Sequence, residues 1–211
     1  MPHPDKDQVQ ADLEDFHDRI RKVVEQAWAE WRAIAEFRAE NNYAPLLYSR
    51  TVANLMFDAI ARYAIAEFAG DTSVRIEIEA QTIKLFFRGS VLARFKKGDD
   101  NKLGQNIPTQ AALAFEFVDG IFPGLPPETA KVEFIWLANE INTNLEHVLV
   151  VARDGDRLLW DYEIGAVPSA GAGTVIPFPM PPSPPPPAGD GEDLITPKAP
   201  APGTKKPGEA E

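Results

Sequence analysis

The 211-residue chain contains no cysteine. Disulfides, iron–sulfur clusters, thiol catalysis and cysteine-based zinc sites are therefore excluded, and a thiol-free chain suits a reducing compartment. Histidine is scarce: only His3, His17 and His147 occur, and zinc normally needs three or four convergent ligands. Long apolar runs are missing, with no stretch of about 18 residues that could span a bilayer. The start, Met-Pro-His-Pro-Asp-Lys-Asp, lacks the apolar core of a secretion signal. Positive charge is in deficit, 21 Lys and Arg against 32 Asp and Glu, for a formal charge of −11. Such a chain repels duplex DNA and anionic membranes. No HExxH, GxSxG or GxxxxGK[ST] motif is present, so none of the zincin, α/β-hydrolase or P-loop chemistries is signalled. The expectation is a soluble cytoplasmic protein with no catalytic, metal or cofactor site marked by its sequence.

Proline is abundant but lopsided, with 13 of its 20 residues after position 165. Pro179 to Pro187 reads as polyproline II, and the rest of 166–211 is too poor in apolar residues to offset its ordering entropy. This tail is expected to be disordered, either a spacer or a ligand offering PxxP steps. The remaining 165 residues are enough for a sizeable core.

Asp7 as N-cap with Gln10 three residues later opens a helix. Apolar residues recur at Val9, Leu13, Phe16, Ile20, Val23, Ala27, Trp31 and Ile34, at coiled-coil-like intervals of three and four. The predicted helix runs to Glu40, roughly 50 Å at its rise per residue, and stops at Asn41-Asn42. Trp28, Trp31 and Phe37 widen its stripe near the C-terminal end and are candidate contacts for a second copy or another protein. A second helix spans Arg50 to Phe68, with Ser49 as N-cap and Gly70 as stop, and is apolar nearly all round.

From Val74 the period falls to two. Val74–Glu79, Ile83–Arg88 and Val91–Lys96 form an antiparallel meander. A three-residue Arg88-Gly89-Ser90 link pairs Phe87 with Val91 and Leu85 with Ala93 and keeps both faces clean, whereas a two-residue link would set Leu85 against Arg94. Thr109–Val118 is predicted as a short helix. Lys131–Ala138, Leu145–Arg153 and Arg157–Ile164 form a second meander, with Asp154-Gly155 as a two-residue turn that sets Val151 opposite Leu158, Leu149 opposite Trp160 and His147 opposite Tyr162. The whole predicts an α+β fold: two N-terminal helices, an antiparallel sheet of two three-stranded meanders with one intervening short helix, and a disordered proline-rich tail. The divisions fall at 1–48, 49–165 and 166–211.

One local feature invites a functional reading. In this register Lys84 lies opposite Arg94, with Arg88 and Lys96 on the same face, Lys97 next along, and Phe86 and Leu92 among them. Like charges opposed across strands destabilise a sheet, so an anionic partner or the nearby Glu77 and Glu79 should neutralise them. Bases interleaved with aromatics also grip single-stranded nucleic acid. Asp100-Asn101-Lys102 resembles the end of a metal-dependent nuclease motif, but a glycine-flanked polar turn explains it as well. Asn139–Asn144 reads as a hairpin turn.

The segments Ala93–Lys102, Asn106–Gln110 and Gly124–Pro126, with Trp160, resemble a family of uncharacterised conserved bacterial proteins. That resemblance implies a bacterial cytosolic setting and no particular activity. The reading reached from the residues is a non-enzymatic interaction or accessory module contacting a second copy or another protein through its first helix and its tail. Nucleic-acid binding through Lys84, Arg88, Arg94, Lys96 and Lys97 is the alternative.

Overall fold

A computed structural model describes residues 4–79, 82–104, 115–117, 126 and 128–165. His3, most of the predicted Thr109–Val118 helix and the proline-rich tail lie outside them.

The protein is α+β. Helix α1 (Lys6–Leu13), a 3-10 turn (Glu14–Phe16), helix α2 (His17–Glu40) and helix α3 (Ser49–Phe68) precede six strands. These are β1 (Val74–Glu79), β2 (Thr82–Phe87), β3 (Val91–Lys97), β4 (Ala130–Ala138), β5 (Leu145–Asp154) and β6 (Arg157–Glu163). The first helix begins two residues early, because Asp5 rather than Asp7 caps it, its side chain accepting from Gln8 N at 2.9 Å. The apolar stripe continues through the 3-10 turn, which periodicity alone does not reveal. Asn42 stops α2 with φ +56°, and Asn41 Nδ2 donates to the Phe37 carbonyl.

The strands lie in sequence order in one sheet. Both meanders are present, but the sheet is mixed, not antiparallel throughout: β3 and β4 pair in parallel, Val91 beside Ala130 and Lys97 beside Trp136. The β2–β3 register is the expected one, Phe87 with Val91 and Leu85 with Ala93. Arg88 (φ +48°) and Gly89 (φ +73°) both take the left-handed conformation in that link. The β5–β6 register differs. Gly155 and Asp156 form the loop, so Asp154 pairs with Arg157, and a bulge at Ala152/Arg153 sets Val150 opposite Tyr162 and Leu149 opposite Glu163. Glycine is required at 155, where φ is +59° and a Cβ would stand 2.9 Å from the Phe117 ring.

All three helices share one core with the sheet. Val9, Leu13, Phe16, Ile20, Trp31, Met56, Ile60 and Phe68 pack on Leu85, Phe87, Phe95, Phe134, Trp136 and Val150. The predicted boundary at residue 48 therefore falls inside a continuous core. Arg19 ties α2 to the end of α3, holding Glu67 at 3.0 Å and Asp71 at 2.5 Å while its guanidinium lies over the Phe68 ring.

These contacts set an acid dependence. The Arg19 and Ser73 hydrogen bonds hold the Asp71 carboxyl down at about 2, from an ordinary 3.8. Burial lowers the His17 imidazole below 6.5, outweighing the raising effects of Glu14 and Asp18; the ring shares a 3.1 Å hydrogen bond with Tyr162. Both shifts make the unfolded chain the better proton acceptor. The stability that these two groups contribute should be full above pH 6.5 and begin to fall below it as unfolded His17 charges. A second loss should come between pH 3.8 and about 2, as Asp71 is protonated. Thermal unfolding across this range should show both steps, and Asp71→Asn should weaken the lower one; a flat profile above pH 4 would refute the His17 contribution.

Candidate interaction surface and the buried charge cluster

The sheet face away from the helices is also covered. Part of the β3–β4 connection lies over it, with Leu103 on Ile135, Leu149 and Val151, and Phe115 on Phe86 and Leu92. Beneath it sits a buried charge cluster of Arg94, Glu116, Glu133 and Arg153. Glu133 is fully buried. Its Oε1 accepts from Arg94 Nε (2.9 Å) and Nη2 (2.6 Å), and its Oε2 accepts from Gly104 N (3.2 Å). Arg153 Nη1 stands 3.6 Å from Glu133 and donates to the Gly104 carbonyl at 2.9 Å, while its Nε donates to the Gly155 carbonyl. Arg94 also reaches Glu116 at 3.3 Å and lies over the Phe115 ring at 4.1 Å. Each charge is met by an opposite charge, and Glu133 and Arg153 also by backbone, the condition for burying ions at tolerable cost. The cluster fastens the connection to the sheet.

This arrangement decides where the five bases singled out by sequence go. Lys84 is buried and bonded to Glu79 at 2.6 Å. Arg94 is at the centre of the cluster. Lys96 is half-buried beside it, its ammonium pushed down by burial and by the Arg94 charge, against the opposing pull of Glu133 and Glu116. Arg88 lies at the β2–β3 turn, paired with Asp15 and over the Phe16 ring. Lys97 points to the helix face, over the Trp136 ring and bonded to Asn142 Oδ1 at 3.0 Å. The five are not gathered on one exposed surface, and Phe86 and Leu92 are buried under Phe115 instead of forming an open platform. Of the two expected neutralising acids, Glu79 serves Lys84, and Glu77 pairs with Arg75 at 2.9 Å.

Other marked residues have local duties. Asp99 Oδ1 accepts from Asn101 N and Leu103 N, and Lys102 turns away to Asp161 at 2.7 Å, which makes residues 98–104 a compact loop. Asn139 Oδ1 accepts from Thr143 N and Asn144 N, organising the β4–β5 turn. His147 is exposed and bonded to Glu163 at 3.1 Å; the shifted turn and the bulge in β5–β6 move it away from Tyr162, which bonds to His17 instead. Among the described residues no group of three or more His, Asp or Glu is placed to hold a metal ion. No helix among them is long and apolar enough to cross a membrane.

Among the described residues one end of the sheet remains open. The strand directions bring the last residues of β1, β3, β4 and β6 and the first of β2 and β5 to a single end of the sheet. Trp31 Nε1 donates to the Asn142 carbonyl there, so α2 meets that end at Trp31. Its contacts with the core stop at Ala35, and nine further residues carry the helix about 14 Å past Trp31. The α2–α3 tip beyond exposes Phe37 (59%), Tyr43 (57%), Leu47 (88%) and Tyr48 (61%). Ile78, near the end of β1, and Ile141, in the β4–β5 turn, are exposed at the same end of the sheet, and Leu55 is exposed on α3. Eight large hydrophobics are exposed among the described residues, and four of them belong to this tip. Scattered apolar side chains are ordinary on a surface, whereas a collected set marks contact. Arg38 lies over the Tyr43 ring (5.5 Å) and Arg50 over Tyr48 (5.3 Å).

The three aromatic contacts proposed from sequence divide. Trp31 is 7% exposed and belongs to the core, Trp28 packs 6.2 Å from Trp136, and only Phe37 stands on the open tip. Tyr43, Leu47 and Tyr48 were missed because helical periodicity says nothing about a link. The available signal was composition: Tyr-Ala-Pro-Leu-Leu-Tyr is too apolar for an ordinary helix–helix connection. No family model, no curated protein and no solved structure matches this chain.

Proposed function

We propose that this protein is a non-enzymatic protein–protein interaction module that engages its partner through the α2–α3 tip. The observation that supports this most is the exposed set Phe37, Tyr43, Leu47 and Tyr48, rimmed by Arg38 and Arg50. Tyrosine and arginine around an apolar centre are the composition of interface hot spots. The buried cluster of the second sheet face supports the non-enzymatic part, since Arg94, Glu116, Glu133 and Arg153 are held by one another and, for Glu133 and Arg153, by backbone. A bacterial cytosolic setting fits the thiol-free composition and the resemblance noted above.

The alternative, nucleic-acid binding through Lys84, Arg88, Arg94, Lys96 and Lys97, has less behind it, because two of the five are buried and the formal charge is −11. A photo-crosslinking side chain at Tyr48, with a control at exposed Arg157 on the opposite end, separates the readings in cells. A discrete protein adduct should form from position 48, survive nuclease and vanish with Leu47→Glu. Equal adducts from both positions, or none, would overturn the module; adducts removed by nuclease would favour the alternative.

A further inference from the structure

We infer that the occupant of the tip is a second copy of this chain, docked tip to tip about a two-fold axis. The inference rests on the interaction reading and deepens it. A two-fold interface must be self-complementary, because each residue meets its counterpart's neighbours in both directions. The tip meets that condition in charge. Glu40, at the end of α2, has no cation within ion-pair distance among the described residues, and Arg50, in the first turn of α3, has no carboxylate. By contrast Arg19, Lys22, Arg32 and Arg62, further along the same two helices, are all paired with carboxylates. One unpaired acid, Glu40, and two bases without a carboxylate, Arg50 and Arg38 (whose Nη2 donates to the Ala44 carbonyl at 2.8 Å), thus flank one apolar patch, and a copy turned by 180° sets Glu40 of each against Arg50 of the other.

The area is sufficient. At their exposures, Phe37, Tyr43, Leu47 and Tyr48 offer about 500 Å² per copy, given the size of such side chains. Two copies would bury about 1,000 Å², the lower bound for a specific interface. The dimer should therefore be reversible, with a dissociation constant in the micromolar range, about 1–50 µM.

Sedimentation equilibrium of the purified full-length chain tests this, from about 1 to 200 µM to bracket that range. The expected result is a monomer–dimer equilibrium. Leu47→Glu should weaken it at least about thirtyfold, as for a central contact residue; at 88% exposure this change leaves the fold intact, which far-UV circular dichroism checks. Glu40→Arg and Arg50→Glu should each weaken association about three- to tenfold, and the double reversal should restore it to within about threefold of the parent. A monomer at the highest concentration, a dimer indifferent to Leu47→Glu, or single reversals without rescue would overturn the two-fold dimer. A monomer whose position 48 still crosslinks to a different protein would overturn the dimer and leave the interaction reading standing. A monomer with no adduct would remove both.

Discussion

Replacing Glu133 with glutamine should lower the unfolding free energy by about 3–5 kcal/mol, the cost of breaking a buried ion pair from one side. The size follows from what is left behind. Arg94 and Arg153 are each about 6% exposed at the side chain, and without the Glu133 charge they would share Glu116, at 3.3 and 4.0 Å, with the fully exposed Asp156, 3.4 Å from Arg153, as the other carboxylate. Arginine does not shed its proton, so the uncompensated charge must stay. The double change Arg94→Met with Glu133→Leu should cost less than the single one, because it removes a pair and leaves Arg153 with Glu116, Asp156 and two backbone carbonyls. Urea unfolding read by midpoint and slope makes the comparison; a loss below about 1 kcal/mol for Glu133→Gln would mean that water reaches the cluster.

Phe87→Ala should cost about as much, 3–5 kcal/mol, for a different reason. Phe87 is the side chain on which the helices and the sheet converge, its ring 5.0 Å from Phe16, 5.7 Å from Phe68 and 5.8 Å from Phe134. It is fully buried, and truncation leaves a cavity bounded by three other aromatic rings that are themselves held by neighbours. The loss should appear as one cooperative transition. Fluorescence of Trp28 and Trp31, on α2, and circular dichroism of the whole chain should shift to the same lower midpoint. If the α2 tryptophans kept the parent midpoint while the rest moved, residues 1–48 would be a separate cooperative unit.

The sequence was informative wherever neighbouring residues decide the outcome. The β2–β3 register was legible because a two-residue link would have put Leu85 against Arg94, and only one loop length avoids that. The β5–β6 register was misread because Asp154-Gly155 and Gly155-Asp156 are both acceptable turns, and the choice depends on Phe117, distant in sequence, sitting against Gly155. The parallel β3–β4 ladder was not legible, since nothing local records which strand lies beside β3. Alternation correctly placed Lys84, Phe86, Leu92 and Arg94 on one face but could not say that the connection covers it; a carboxylate at Glu133, inside an apolar strand, was the available clue. At the tip, Phe37 was visible as part of a helical stripe, whereas Tyr43, Leu47 and Tyr48 belong to no periodic pattern.

The parallel pairing of β3 with β4 also bears on how the chain reaches its folded state. Each meander joins strands next to one another in sequence, through links of a few residues, so each can zip up on local contacts. The central ladder is different: it joins strands that residues 98–129 separate in sequence, and the entropy of bringing them together is spent before the hydrogen bonds between β3 and β4 repay it. The Arg94–Glu133 pair spans that same seam. The slow step of folding should therefore be the pairing of the two meanders at the middle of the sheet.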